Sequence, residues 1–277
     1  EANQQYLADL LTELRASRHV HQAVLLGMDG AYDQNGRLDQ AHTDFLIGND
    51  YVPKTAHTYP DEFLAGVSIN PQRRDAVDEV HRCADAGAVL VKVLANAQQF
   101  DPANKAYIPF YRALAERKLP FLSHVGYEFS LIGKDQSVGE PDRLRLALDE
   151  GTTVIAAHAC SYGLILYEKF LPTLHDLVQR YPHFYADISA LTLPNRLRML
   201  LHLRKYPEVH ECLLFGTDYP LPVFQLAAWG RVGLGTLRTL LAVRNRFDRQ
   251  VDVCRALRLG FRSIGDLISP VSVQAPH

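Results

Sequence analysis

Two histidines and one aspartate end short apolar runs of the chain. His124 closes LPFLSH, His158 closes TTVIAAH, and Asp218 lies in FGTDYP. Imidazole nitrogens and carboxylate oxygens are ligands that suit divalent zinc, manganese or iron. A carboxylate beside such an ion can also take a proton from bound water, because the ion lowers the pKa of that water to about 7. The three residues therefore indicate a metal site that carries its own base.

Each of these residues also has a structural interpretation when it is taken alone. A single histidine after a strand more often caps a helix or lies in a core than binds a metal. Lys92, within the apolar run AVLVKVLA, is either a buried lysine paired with a carboxylate or an amine able to form a Schiff base. What favours a shared site is the recurrence of such residues, in chain order, at the ends of similar runs.

Seven continuous apolar runs, separated by helical patterns, must position these residues. They predict strands at 23–28, 63–70, 88–95, 119–125, 152–158, 184–189 and 211–218. Because the runs do not alternate polar and apolar residues, they are typical of a parallel sheet buried on both faces. No G-x-G-x-x-G follows any of them, so a dinucleotide-binding sheet would lack its usual loop.

The predicted fold is α/β: a (β/α)8 TIM barrel, in a single domain over residues 1–277, whose first strand lies upstream of Glu1. Such a barrel needs eight strands in about 250 residues, and seven runs are present. Active sites of these barrels lie at the carboxyl ends of the strands. His124, His158 and Asp218 are therefore expected to share one face.

Helical spacing and end signals predict helices at 3–17, 71–86, 105–118, 140–150, 166–180, 194–205, 233–245 and 248–260. The stretch 29–60 is rich in Asp, Asn, Gly and Pro and predicts a long loop with one short helix around 39–50. It contains His42 and His57. Long loops in compact domains are often lids over active sites.

Composition limits the class of protein. Of 277 residues, 47% are hydrophobic and 22% charged, which is typical of a globular protein. A formal charge of −2 gives no support to a nucleic-acid or anionic-membrane partner, and no apolar run approaches the roughly 18 residues of a membrane span. The four cysteines form no CxxC pair and the start carries no signal peptide, so reduced thiols in the cytoplasm are expected. The expected partner is a small-molecule substrate, with a homodimer as the default assembly.

The segments SHVG, AAHACSYG and LLFGTDYPLP, in that order, resemble the metal-dependent amidohydrolase superfamily. The likeness is greatest to the branch that contains aminocarboxymuconate-semialdehyde decarboxylase, related aromatic-acid decarboxylases and dicarboxylate lactonases, which is amidohydrolase family 2. It extends to GVSINP, GAVLVKVL and FYADIS, and covers about residues 20–220.

The resemblance implies a TIM barrel that binds one divalent ion. Zinc is the first expectation, and manganese and iron are the alternatives. His124 matches a metal ligand. His158 matches the histidine that lies beside the metal and assists water or substrate, and it is a further candidate ligand. Asp218 matches a residue that is both ligand and proton acceptor. Lys92 lies near the strand where other branches carry a carboxylated bridging lysine.

One element of the family pattern is out of place. The family has an H-x-H or E-x-H pair at the end of its first strand, whereas His19-Val20-His21 precedes the strand that begins at Ala23. These histidines would lie on the face opposite the pocket. The functional pair is therefore expected upstream of Glu1, together with the absent strand.

The expected function is metal-dependent hydrolysis of a small amide, ester or lactone, with metal-bound water as the nucleophile. The first alternative is decarboxylation of an aromatic or unsaturated carboxylic acid at the same site. The second is a metal-free lyase that uses Lys92 as a Schiff-base amine, or a barrel without catalytic activity. Borohydride trapping with a carbonyl substrate would identify the Lys92 lyase, and an upstream H-x-H or E-x-H would distinguish a metal enzyme from a barrel without activity.

Other polar residues have weaker support from the sequence. Asp187 and Ser189 in FYADIS could reach the pocket or hold neighbouring loops. Tyr127, Glu128 and Tyr162 follow the two histidines, and Cys160 is more readily a small buried residue than a nucleophile. His175, His202 and His210 fall on or beside outer helices. Arg196, Arg198 and Arg204 predict a solvated helix face, which would bind a substrate carboxylate only if it folded over the barrel mouth.

Overall fold

The chain folds around one parallel sheet whose seven strands follow each other in sequence order. The computed structural model describes residues 2–128, 131, 135–164 and 167–268. The strands are β1 (Ala23–Leu26), β2 (Phe63–Val67), β3 (Ala88–Val93), β4 (Phe121–Ser123), β5 (Val154–Ala156), β6 (Phe184–Asp187) and β7 (Leu213–Leu214). All seven predicted strands are present, each shorter than its apolar run.

Helices connect the strands and cover the outer face of the sheet. They are α1 (Ala2–Arg15), α2 (Tyr51–Thr58), α3 (Ala76–Asp85), α4 (Ala95–Gln98), α5 (Ile108–Glu116), α6 (Arg145–Asp149), α7 (Leu171–Arg180), α8 (Leu197–Leu203), α9 (Leu234–Ala242) and α10 (Arg246–Ala256). The predicted helix at 166–180 includes residue 166, which lies outside the described residues. No helix in the described ranges is both long and apolar enough to cross a membrane.

Alternate residues of the strands face two different cores. Phe121, Val154 and Phe184 belong to the large cluster between the sheet and the helices. Leu122 and Ile155 belong to a smaller cluster inside the sheet, which also includes residues of β3 and β7. Strands that are not neighbours can share such a cluster only if the sheet curls. The fold is therefore barrel-like, as predicted.

The register aligns the carboxyl ends of the central strands. Ser123 of β4 pairs with Ala156 of β5, and Ala156 pairs with Ala186 of β6. His124 is the next residue after β4, and His158 follows β5 by two positions. The strands thus bring both histidines to one edge of the sheet.

The two outermost strands, β1 and β7, do not pair with each other in the described part of the chain. At the outer edge of β7, Phe215 donates to the carbonyl of Arg262 and Arg262 donates to the carbonyl of Leu213, each over 2.8 Å. Leu26, in β1, is 38% exposed. A seam therefore separates β1 from β7, and the segment around Arg262 covers part of it.

The short helix predicted around 39–50 is a single 3-10 turn, and an α-helix that was not predicted follows it. That stretch holds only a short 3-10 helix at Gln40–His42, where the Asp39 side chain accepts from the Ala41 N–H. The α-helix comes later, as α2, because Val52, Pro53 and Thr55 give it a buried face. The polar residues before it bond locally instead of continuing a helix.

Candidate functional site

The structure brings together two of the three predicted metal-site residues. The rings of His124 and His158 lie edge to face with centroids 5.0 Å apart. Nε2 of His158 lies 3.2 Å from Nδ1 of His124. After β5 the chain turns sharply, with positive φ angles at His158, Ala159 and Cys160, and this turn directs the His158 ring towards the end of β4.

Asp187 and Ser189, at the end of β6, hold His158 in place. Nδ1 of His158 lies 3.1 Å from the carbonyl oxygen of Ser189 and 2.9 Å from its hydroxyl. Oδ1 of Asp187 accepts from the backbone N–H of His158 at 3.0 Å and from that of Ser189 at 2.9 Å. The Ser189 hydroxyl also donates to this oxygen. The sequence left two roles open for Asp187 and Ser189, which were to reach the pocket or to hold neighbouring loops. The structure shows both residues in contact with His158, a candidate site residue.

Nε2 of His124 is buried and has no hydrogen-bond partner among the described residues. Oε2 of Glu128 lies 3.7 Å away, beyond hydrogen-bond distance. A buried nitrogen without a partner is rare and calls for an explanation such as an ion. Burial and the charges of Lys92 and Arg196 hold the pKa of His124 well below its usual range, and burial with the Arg196 charge does the same to the pKa of His158. Both rings are therefore neutral, as metal ligands must be.

Asp218 lies apart from the two histidines. It follows β7 with φ +58 and is exposed to solvent, although protein atoms surround it closely enough for desolvation to raise the pKa of its carboxyl. The charge of Lys92 lowers that pKa and Asp187 raises it further. Within the described ranges, no three His, Cys, Asp or Glu side chains converge to hold an ion. The ligand set of His124, His158 and Asp218 therefore stays a prediction.

Two buried cations face this region without an anionic partner. Lys92 is 9% and Arg196 is 5% exposed, and no carboxylate oxygen of the described residues lies within 4.0 Å of either charged group. Among the described residues, the Arg196 guanidinium donates from Nη1 to the carbonyl of Ser161, at 3.3 Å. Burial lowers the pKa of Lys92 and of Arg196, and the charge of Asp218 raises both.

The prediction that Arg196 lies on a solvated helix face is wrong, whereas Arg198 and Arg204 are exposed as expected. Arg196 lies just before α8 in a turn that Asn195 ties to the loop after β5, donating to the carbonyl of Gly163 at 3.0 Å. This turn carries the guanidinium inward. Helical spacing could not reveal that, because Arg196 lies outside the helix.

His19, His57 and Cys160 have structural surroundings rather than a place in the candidate site. His19 meets Asp252 of α10 at 3.1 Å, before β1 and therefore at the opposite end of the sheet from His124. His57 bonds to the carbonyl of Pro53 at 2.8 Å. Cys160 is fully buried, and burial raises the pKa of its thiol well above the usual range, which leaves it unreactive as a nucleophile.

Two cavities lie near the carboxyl ends of the strands. One, of about 540 Å³, lies between the segment after β1 and α3, with Met28, Tyr32, Leu46 and Arg73 in its lining. A smaller one, of about 200 Å³, is lined by Tyr127, Tyr162, Phe170 and four further residues of the loops after β4 and β5. The linings of both exclude His124, His158 and Asp218.

Comparison with solved structures shows a shared fold. The uncharacterised TIM-barrel protein Bb4693 from Bordetella bronchiseptica is 18% identical, with a TM-score of 0.63 over 93% of this chain and 83% of that one. The 2,6-dihydroxybenzoate decarboxylase from Rhizobium is 20% identical, with a TM-score of 0.52 over 92% and 88%. The 5-carboxyvanillate decarboxylase from Novosphingobium aromaticivorans, complexed with manganese and a nitrobenzoic acid, is 17% identical, with a TM-score of 0.52 over 92% and 84%.

Sequence comparison identifies the family. No curated protein matches the chain. The family model described as amidohydrolase matches residues 16–230, which is most of the chain and includes the strands that position His124, His158 and Asp218. The chain belongs to the amidohydrolase superfamily, in amidohydrolase family 2.

Proposed function

We propose that the protein is a metal-dependent hydrolase of small amides, esters or lactones that carry a carboxylate. The observation that carries this proposal is the unpartnered Nε2 of His124, a buried neutral imidazole nitrogen at the end of a barrel strand. Such an atom fits a divalent metal ion. A divalent ion at this place would polarise a carbonyl group and lower the pKa of water.

His124 and Asp218 would hold the ion, with His158 beside them. Asp218 would also be the proton acceptor, because it is solvent-accessible and a carboxylate beside a bound ion can take a proton from water. His158, fixed by Ser189, would stabilise negative charge that develops on the substrate. Lys92 and Arg196 would bind the substrate carboxylate, since both are buried and a carboxylate in direct contact would stabilise their charges more than the more distant Asp187 and Asp218 do.

The Asp218→Asn variant tests the role of the base. We expect turnover to fall by about 100- to 10,000-fold, because general-base catalysis contributes that much. Asp266→Asn is the matched control, since Asp266 is a carboxylate of the C-terminal segment whose ion pair among the described residues, with Arg262, is long at 3.7 Å. A panel of carboxylated lactones, amides and esters supplies the substrates. Near-normal turnover in Asp218→Asn, on a substrate that the wild type cleaves, would contradict the role.

We further propose that an eighth strand, upstream of Glu1, fills the seam between β1 and β7 and carries an H-x-H or E-x-H pair. The outer edge of β1, which pairs with no other strand among the described residues, supports it, as does the β7 edge, where Arg262 forms only an isolated bridge. This strand would have to replace the contact of Arg262 with β7. Hydrogen exchange of the protein expressed from its full reading frame tests this strand. If the strand pairs with β7, the Phe215 amide should stay protected from exchange after the chain is truncated before Arg262. Loss of that protection would mean that Arg262 is the permanent neighbour of β7.

Decarboxylation of a carboxylic acid is the second candidate function. The structural similarity to 2,6-dihydroxybenzoate and 5-carboxyvanillate decarboxylases supports it, each aligned over 92% of this chain. The same residues would serve, with Asp218 or His158 protonating the carbon that loses carbon dioxide. Release of carbon dioxide from an aromatic acid, without cleavage of any ester, amide or lactone, would favour this reaction over hydrolysis.

A further inference from the structure

The segment between β7 and α10 leaves large apolar side chains in solvent. Four of them are about half exposed or more: Leu226, Trp229, Leu234 and Leu241. Leu234 is 78% and Trp229 is 65% exposed, and Trp229 is the single tryptophan of the chain. Scattered exposed leucines need no explanation, but several large apolar residues exposed within one short segment are typical of an interaction surface.

These four residues belong to one packed unit. Nε2 of Gln225 donates to the carbonyls of Leu240 and Val243, at 3.4 and 3.2 Å. The two bonds tie the turn that carries Leu226 to the end of α9. Ala228 and Leu240 belong to the main core. The segment is therefore anchored from one side, while its exposed side chains point away from that core.

Helix α9 buries only part of its apolar stripe. Its leucines at 234, 237, 240 and 241 lie within an arc of about 120°, since successive helical residues are turned by about 100°. Leu240 is buried and Leu237 is half-buried, whereas Leu234 and Leu241 stay exposed. Seven of the nine residues of α9 are exposed, so the helix forms a ridge on the surface.

The charge of this surface has one sign. Between Asp218 and Asp248 the chain has four arginines and no Asp, Glu, Lys or His. Arg231, Arg238 and Arg244 are exposed, and no carboxylate oxygen of the described residues lies within 4.0 Å of their guanidinium groups. The overall charge of −2 therefore conceals a local charge of +4. A partner that fits this surface offers negative charge beside an apolar phase.

The basic apolar patch consists of four apolar residues and three arginines: Leu226, Trp229, Leu234, Leu241, Arg231, Arg238 and Arg244. We propose that this patch docks on the surface of a bilayer that contains anionic phospholipids. The apolar side chains enter the interfacial layer and the arginines contact lipid phosphates, which is how interfacial segments rich in Arg, Leu and Trp bind. Arg231 already lies beside Trp229, donating to its carbonyl at 2.8 Å. The inference is independent of the proposed hydrolase activity.

Two other partners fit the basic apolar patch less well. A two-fold contact with a second copy of the chain would place the arginines of both copies against each other. An acidic peptide needs a groove, whereas α9 is a ridge, and neither cavity described above includes a residue of the patch. A bilayer adapts to a protruding surface and supplies both the charge and the apolar phase.

Titration of the protein with lipid vesicles tests the docking, and the fluorescence of Trp229 reports it from within the patch. We expect a blue shift and co-sedimentation with vesicles of phosphatidylcholine and phosphatidylserine. Binding should be weaker with phosphatidylcholine alone and at high salt, which screens the arginines. Trp229→Phe should remove the blue shift.

Three outcomes of this titration would overturn the proposal. The first is no binding to the mixed vesicles. The second is a blue shift that grows with protein concentration in the absence of lipid, which would show that a second copy covers the patch. The third is a blue shift with soluble polyglutamate but not with vesicles, which would identify an acidic protein partner.

Two pairs of variants locate the binding surface. Arg238→Gln should weaken vesicle binding about 5-fold, the factor that corresponds to about 1 kcal/mol per arginine near an anionic membrane. Arg204→Gln removes the same charge from an exposed arginine at the end of α8 and should leave binding unchanged. Leu234→Ser should weaken binding at least about 10-fold, whereas Leu234→Met should bind like the wild type. Equal binding within either pair would show that the patch is not the docking surface.

Discussion

At the scale of single residues, the candidate site is defined by which polar atoms are satisfied and which are not. Every ring nitrogen of His158 has a partner, whereas Nε2 of His124 has none in the described part of the chain. Arg196 is buried, and no carboxylate of the described residues lies within 4.0 Å of its guanidinium. A protein keeps an unsatisfied buried atom only where something else compensates for its cost, and at this site a metal ion and an anionic substrate would do so.

Arg196 offers the sharpest prediction at this scale. Arg196→Met should raise KM for a carboxylated substrate about 10- to 100-fold, because a hydrogen bond to a charged group contributes about 1.5–3 kcal/mol. The same variant should unfold at an unchanged or higher temperature, since it removes a buried charge without a partner.

Steady-state kinetics and thermal unfolding of the same samples check both halves of this prediction. Arg198→Met, which changes an exposed arginine two positions away, should leave KM unchanged. A drop in stability of several kcal/mol with unchanged KM would show that Arg196 is a structural residue.

At the scale of elements, the turns after β4 and β5 must approach closely to bring His124 and His158 together. Gly126 has φ +96, and a Cβ atom there would collide with the carbonyl oxygen of Ser161. Gly151 also has positive φ, at +83, but a Cβ atom there meets nothing within 4 Å. Alanine at Gly151 therefore tests the effect of a left-handed backbone alone, and alanine at Gly126 tests that effect together with a steric clash.

We expect Gly126→Ala to destabilise the protein more than Gly151→Ala and to weaken metal binding. Gly151→Ala should cost only the strain of a left-handed residue, about 1–3 kcal/mol, and leave metal binding unchanged. Urea unfolding and metal titration of the two variants check this. Equal stabilities and equal metal affinities would show that the two turns do not depend on their contact.

A second contact between elements joins the end of α1 to α10. Asp248 accepts from the Ser17 hydroxyl at 2.7 Å and from the backbone and side chain of Arg18 at 3.0 and 3.1 Å. Burial alone would raise the pKa of Asp248, but these bonds outweigh it and lower that pKa. The carboxylate therefore stabilises the fold above the usual aspartate pKa, and this contribution is lost as pH falls through the lowered value.

Asp248→Asn should lower the free energy of unfolding by about 1.5–3 kcal/mol at pH 7, as expected for hydrogen bonds to a charged group. The difference from the wild type should shrink below about pH 4, where the aspartate of the unfolded chain is protonated. Urea unfolding at both pH values measures it. A difference that is the same at pH 7 and at acidic pH would show that charge plays no part.

At the scale of the whole molecule, the sequence predicts the barrel and the position of its strand ends but not the side-chain partners. The apolar runs were sufficient because β2 to β7 are buried almost throughout, whereas β1 is half-buried. The inward position of Arg196 and the contact of Glu128 with His124 depend on loops, whose conformation follows from contacts between distant segments such as Gly163 with Asn195. Local periodicity carries no information about such contacts.

The seam between β1 and β7 lies next to part of the proposed metal site. Asp218 follows β7 and is exposed, so a strand placed in the seam would lie beside it. If His124 and Asp218 hold an ion as proposed, such a strand would be close enough to supply further ligands.

The metal content of the protein expressed from its full reading frame is the most direct test of the account. We predict about one zinc, manganese or iron ion per chain in the wild type and in His57→Gln, whose ring bonds only to its own helix. His124→Gln should lose the ion. A wild type without metal after reconstitution, or a His124→Gln variant that keeps the full content, would contradict the metal-dependent site.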